Sequence, residues 1–217
     1  MKPRRYADLE LIRAEYAERG DRVRQRLAEF ARVPAADHCY ELAYCLLTPQ
    51  SSAVNADAAV AQLKAMAFFE RGGDPTPVLR RPGAYIRFHN TKARRLLTVR
   101  EQFPAIAARL ATTPHGSPLH EVRELRDWLL ANVNGLGRKE AAHFLRNIGY
   151  RGLAILDRHI LRNLKHHGAL RTIPASITPK HYSIIEARFQ RFADDCGITM
   201  DELDLLFWSR ETGEIRK

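Results

Sequence analysis

Two runs of apolar residues at helical spacing, joined by glycines, set the tightest constraint on how this chain can fold. Val122, Leu125 and Leu129 recur at intervals of three and four, and Ala141, Leu145 and Ile148 resume the pattern beyond Gly135-Leu136-Gly137. Glycine lets the backbone turn tightly and come close to another group without a side-chain clash. Two amphipathic helices around a hairpin are therefore expected. Lys139 falls in the first turn of the second helix, and Asp157 follows eighteen residues later. A helix start offers unpaired N–H groups and a positive dipole end, which suits a phosphate. A positive field also favours the neutral, nucleophilic form of an amine.

The rest of the chain reads mainly as helix. Ile12, Tyr16, Val23, Leu27 and Phe30 form one stripe of a long N-terminal helical region, with an interruption expected at Gly20-Asp21. Asp37 is placed as the cap of a helix carrying Tyr40, Leu42, Ala43 and Leu46, which Thr48-Pro49 ends. An alanine-rich helix should run from Ser51-Ser52 to Phe69. Asn90 is read as the cap of a basic helix from Thr91 to Glu101, stopped by Phe103-Pro104. Ser117 should cap the next helix, with Pro118 in its first turn. Later helices carry Ile185, Phe189 and Phe192, then Leu203, Leu206 and Phe207, the last opened by a Thr199-to-Glu202 capping box. The β-like stretch Leu153-Ala-Ile-Leu156 has no partner strand. An all-α chain in two lobes follows.

Composition narrows the function. The 217 residues hold 35 Lys and Arg against 25 Asp and Glu, a net charge of +10. That excess favours a polyanionic partner, most readily nucleic acid, through counterion release. No apolar run approaches the length of a membrane span, and Met1 to Arg5 lead into a charged helix, so no membrane partner and an intracellular location are expected. Cys39, Cys45 and Cys196 are too few for a four-cysteine zinc or iron–sulfur site, and none forms a C-x-x-C pair. Cys39 and Cys45 read as small buried hydrophobes. Neither metal nor cofactor is expected.

The hairpin with Lys139 and Asp157 resembles the helix-hairpin-helix DNA glycosylase superfamily. More narrowly, the chain resembles its archaeal-type 8-oxoguanine DNA glycosylase/AP lyase family. The similarity lies in C-Y-E-L-A-Y-C-L-L-T-P-Q-S-S-A at 39–53, Y-I-R-F-H-N-T-K-A at 85–93, N-G-L-G-R-K-E-A-A-H-F-L-R-N-I-G at 134–149, L-A-I-L-D-R-H-I at 153–160 and the segment 203–217. The iron–sulfur branch of the superfamily carries a four-cysteine cluster that this chain lacks.

The resemblance implies a helical barrel from 36 to 150 carrying the hairpin. A second lobe forms from 1–35 plus 151–217, and the hairpin lies at the cleft. It also implies that Lys139 is the nucleophile and Asp157 its carboxylate partner. Breaking the bond between base and sugar builds positive charge on the deoxyribose, which a carboxylate stabilises. The amine then forms a Schiff base from which β-elimination proceeds. A flipped base needs a pocket, and the resemblance assigns its faces to Phe88 and Trp208 and a contact to Lys217. Gln50 would fill the space left by the flipped base. Gly135, Gly137 and His159 would contact the DNA backbone. The expected substrate is double-stranded DNA with an oxidised guanine, handled by a monomer, in the cytoplasm or nucleoid if the source is prokaryotic. Two other functions stay open: the same fold acting on a different damaged or mismatched base, and a non-catalytic helix-hairpin-helix DNA-binding protein. The second has no need of an amine and a carboxylate at this spacing.

Overall fold

The computed structural model describes residues 6–213 and Ile215. Among them every regular element is helical. The helices are α1 Leu9–Phe30, α2 His38–Leu47, α3 Ala53–Ala65, α4 Phe68–Arg71, α5 Thr76–Leu79, α6 His89–Ala111, α7 Leu119–Asn132, α8 Arg138–Asn147, α9 Arg158–His166, α10 Pro179–Cys196 and α11 Met200–Thr212. A short 3-10 turn, Ala35–Asp37, leads into α2. No helix of the described residues is long and apolar enough to cross a membrane. The chain divides into two compact units, Val33–Ile148 and a second made of Met1–Arg32 with Gly149–Lys217.

The Val33–Ile148 unit is built around α2. This helix is apolar on almost every side, and a helix of that kind has to be surrounded. It buries Cys39, Tyr40 and everything from Leu42 to Leu47, with α3, α6 and α8 packed around it. Cys39 and Cys45 lie in this core as free thiols, and burial pushes the Cys39 thiol up to about 12. Asp37 does not cap α2 with its side chain. Its carboxylate instead pairs with Lys64 at 2.8 Å, and the 3-10 turn takes over the entry to the helix. The alanine-rich helix stops at Ala65, well before Phe69, because Ala67 turns into the left-handed region. That turn sends Phe68 into the core and sets the Phe69 ring 5.1 Å from Tyr40 and 6.0 Å from Phe103.

Three further sequence expectations fail here. Pro104 does not end α6, which continues to Ala111 with the proline inside it. Pro104 lies on the exposed face, while Ile106 and Leu110 beyond it are buried. Tertiary burial of that second half outweighs the lost helical hydrogen bond. Phe88, not Asn90, occupies the N-cap position of α6. At α7 the cap position falls to Pro118, and no side chain bonds there, so Ser117 does not cap it.

The other unit gathers α1, α9, α10 and α11 around a core that includes Ile12, Leu164, Ile185, Phe189, Phe192, Leu203, Leu206 and Phe207. α1 runs unbroken through Gly20, contrary to expectation. A Cβ at Gly20 would lie 3.1 Å from both the Tyr16 ring and the Arg24 guanidinium, and Arg24 donates to the Tyr16 hydroxyl at 2.8 Å. The glycine makes room for that pair without breaking the helix. The Thr199–Glu202 capping box opens α11.

The stretch from Leu153 to Leu156 is buried and belongs to no helix or strand. Its backbone groups find side chains instead, as buried peptide groups require. Ala154 N donates to Glu186 (3.1 Å), the Tyr182 hydroxyl donates to Ala154 O, and just before the stretch Gly152 N donates to Asp201 (2.9 Å).

His167, at the end of α9, shows how tightly this core constrains a polar group. Its buried ring is stacked on Phe192 and Phe207, with 5.8 Å between centroids in each case. Nδ1 lies 3.2 Å from Ala7 O and Nε2 lies 3.3 Å from the Arg210 guanidinium. The neutral tautomer with the proton on Nδ1 satisfies both contacts. Burial, then the neighbouring Arg210 and His166, lower its pKa; the Ala7 carbonyl and Asp8 oppose them. The folded state therefore binds fewer protons at His167 than the unfolded chain, whose histidine titrates near 6.5. Stability is full above that value and falls as the pH drops. Thermal melts should show a lower Tm at pH 5 than at pH 7, and His167→Gln should lower Tm at pH 7 while flattening that fall. Parallel pH dependence in both proteins would place the titration elsewhere.

Candidate functional site

In the Val33–Ile148 unit, α7 and α8 pack together and the hairpin joins them. Leu136 N closes the turn on Val133 O at 3.1 Å. Gly135 has φ +85°, a conformation that L side chains rarely adopt, and an added Cβ would run into the Arg95 side chain. Gly137 has ordinary extended backbone and stands at the N-cap of α8 without a side chain to cap it. A helix start of this kind presents its N–H groups to an anion. The side chains of Thr91, Arg94, Arg95, Thr98 and Asn134 line a hollow of about 310 Å³ beside the hairpin. Lys139 sits in the first turn of α8, with its side chain 28% exposed and Nζ 3.7 Å from Glu140.

Two other features of this unit bear on the site. Gln50 (φ 57°) and Phe88 (φ 60°) are both exposed and both left-handed. Strained backbone at exposed residues points to use. The Phe88 ring is 51% exposed, with the Arg87 guanidinium 5.1 Å from its centroid. It helps line an open hollow of about 430 Å³ with Tyr85, Arg87, His89, Asn90 and Thr91.

In the other unit, the buried 153–156 segment delivers Asp157 to the start of α9. One carboxylate oxygen accepts from the N–H groups of His159 and Ile160, each at 2.8 Å. The other accepts from the indole N–H of Trp208 at 3.2 Å. Asp157 thus serves as the N-cap of α9 and is held at both oxygens. Trp208, half-buried on α11, tilts its ring over His159 with 5.0 Å between centroids. His159 is itself buried, and its Nε2 is 3.1 Å from Arg158 Nε. One cluster therefore brings together Asp157, His159 and Trp208. Lys217 lies outside the described residues.

Residues 23–198 match the family described as 8-oxoguanine DNA glycosylase. The chain belongs to that family. A protein of Fusobacterium nucleatum named 8-oxoguanine DNA glycosylase/AP lyase is 37% identical over 209 residues, spanning 93% of this chain and 94% of its own. The crystal structure of the 8-oxoguanine DNA glycosylase of Methanocaldococcus jannaschii is similar with a TM-score of 0.82 at 26% identity, covering 96% of this chain and 95% of that one. The enzyme from the same organism in complex with a 15mer DNA containing 8-oxoguanine is similar with a TM-score of 0.81 at 25% identity, over 95% and 100% of the two chains.

Sequence reasoning missed three features of these candidate regions. The bond from Trp208 to Asp157 joins residues 51 positions apart, and no local pattern signals it. The pressure of Arg95 on Gly135 is equally non-local. Lys92, which falls in the helix that the sequence marks as basic, is buried. The hairpin geometry yields a direct test. Gly135→Ala forces an unfavourable backbone, at about 1–2 kcal/mol, and displaces Arg95. Binding to duplex DNA, measured by fluorescence anisotropy, should weaken by about tenfold. Gly137→Ala, at an ordinary φ and meeting only the flexible end of Glu140, should weaken it less. Equal affinities for all three proteins would remove the hairpin from the DNA interface.

Proposed function

We propose that this chain is a bifunctional base-excision enzyme. It flips 8-oxoguanine out of duplex DNA, breaks the bond between base and sugar, and cleaves the abasic site by β-elimination through a Schiff base on Lys139. The observation that carries the reading is the Asp157 carboxylate, held by donors at both oxygens next to a half-buried tryptophan. A carboxylate fixed in that way stabilises positive charge developing on a sugar without first having to reorganise. Membership of the 8-oxoguanine DNA glycosylase family supports the choice of substrate.

The Lys139 amine attacks the anomeric carbon. The electron pair of the glycosidic bond leaves with the base, which takes up a proton. Ring opening yields the imine, and loss of a proton from the adjacent sugar carbon expels the 3′ phosphate. Phe88 and Trp208 offer aromatic faces for the flipped base, and a contact to that base is the role that the family resemblance gives Lys217. Gln50 fills the space that the base leaves. Gly135, Gly137 and His159 contact the backbone. The chemistry asks for no cofactor, and the enzyme acts as a monomer on intracellular DNA.

Lys139→Gln should abolish borohydride-trapped protein–DNA adducts while leaving lesion-duplex binding within a few-fold of wild type. Asp157→Asn, which keeps the size and loses the charge, should slow base excision by about 10²-fold or more. An adduct formed at the normal rate by Lys139→Gln would move the nucleophile elsewhere. Duplexes carrying other damaged bases, run in the same assay, test the substrate.

Trp208→Ala should reduce excision of 8-oxoguanine far more than nicking of a preformed abasic site, which has no base to stack. Trp208→Phe keeps an aromatic face but loses the bond to Asp157, and its rate should fall between the two. Equal losses in both activities would make Trp208 a structural support only.

A further inference from the structure

Lys92 has a role that its basic neighbourhood conceals. Its side chain is only 2% exposed, and its ammonium spends its donors on Leu47 O (2.7 Å), Pro49 O (2.7 Å) and Ser51 Oγ (3.2 Å). An ammonium has three donors, so these acceptors use all of them, and each is a neutral oxygen. Leu47 O belongs to the last residue of α2, at the negative end of that helix. Ser51 Oγ also accepts from Arg87 N at 3.0 Å. One hydroxyl therefore ties the 48–51 loop to the turn before α6. Asn55 adds a second tie by donating to Tyr85 O at 3.0 Å.

The two residues held by this network are the exposed, left-handed non-glycine residues of the Val33–Ile148 unit. Gln50 lies between Pro49 and Ser51, which the ammonium and its hydroxyl partner hold, and Phe88 follows Arg87 directly. Neither side chain is anchored by burial. The strain of their backbones has to be offset by neighbours fixed in place. We propose that Lys92, with Ser51, is a positioning residue for lesion recognition: one buried strut sets both the residue that fills the vacated space and the aromatic face that receives the base.

The strut is kept at an electrostatic cost. Burial lowers the Lys92 pKa to about 8, and the nearby Arg95 pushes in the same direction. An apolar side chain would fill this space without that cost, but it would leave the carbonyls of Leu47 and Pro49 without a donor. The inference rests on the roles proposed above for Gln50 and Phe88, and its test keeps the two apart.

The test compares Ser51→Ala, Lys92→Met and Lys92→Arg with Gln50→Ala and Phe88→Ala. Ser51→Ala removes only the shared hydroxyl at a partly exposed position, so it remains informative if Lys92→Met fails to fold. Three readouts apply: single-turnover excision of 8-oxoguanine, borohydride trapping on a preformed abasic site, and fluorescence of 2-aminopurine opposite the lesion. Ser51→Ala should slow excision several-fold and Lys92→Met by tenfold or more, with abasic-site trapping changed less than threefold. The 2-aminopurine signal on binding should shrink in both, and Lys92→Arg should recover part of each loss. Adding Gln50→Ala or Phe88→Ala to Ser51→Ala should cost less than the product of the single effects. Excision and trapping falling together in Ser51→Ala, or losses that multiply fully in the double variants, would overturn the strut. Normal excision and fluorescence in both Gln50→Ala and Phe88→Ala would overturn the recognition roles themselves, and the strut with them.

Discussion

A helix start has to do something with its first N–H groups, and this chain meets that requirement in opposite ways at α8 and α9. At α8 the cap position is Gly137, which brings no side chain. That helix start lies beside the left-handed Gly135 and the Arg95 side chain packed on it, a setting that suits an external anion. At α9 the cap is Asp157, whose carboxylate takes the N–H groups of His159 and Ile160. The same solution that closes a helix also fixes an anion in one orientation. The candidate DNA grip and the candidate charge stabiliser are two answers to one backbone problem. Capping and catalysis do not compete at Asp157, because the second oxygen is turned toward Trp208.

Polar groups inside the cores obey the same accounting. The 153–156 segment has no sheet to join, so Glu186 and Tyr182 supply partners for Ala154, and Asp201 takes the N–H of Gly152 just before it. His167 is carried between aromatic rings by pairing its two nitrogens with Ala7 and Arg210. Lys92 takes carbonyls that α2 and the following loop leave over. Each is a buried polar group whose removal would strand its partners. The expense concentrates where loops, not helices, have to be held still.

Several elements were legible because their physics is local. The 3,4 apolar spacing across 122–148 marks two helices, and glycine at 135 marks the left-handed turn between them. The Thr199–Glu202 capping box is closed within four residues and forms as read. The Asp157 cap is local too. Misreadings arose where a local signal met a distant partner. Gly20 looked like a break, but it makes room for Tyr16 and Arg24 inside a continuous α1. Pro104 looked like a terminator, but burial of Ile106 and Leu110 carries α6 past it. Asp37 looked like a cap until Lys64, 27 positions later, took its carboxylate.

The sequence by itself determined the helical class, the glycine hairpin, the family resemblance and the choice of Lys139 and Asp157 as candidates, since each is encoded in short-range spacing or residue chemistry. Only tertiary structure decided what holds them. That Trp208 donates to Asp157, that Arg95 lies on Gly135, and that Lys92 is buried under the turns presenting Gln50 and Phe88 all depend on residues brought together from distant positions. The left-handed backbones of Gln50 and Phe88 belong to the same category. No side chain at either position prefers that conformation, so it exists because the surrounding structure imposes it.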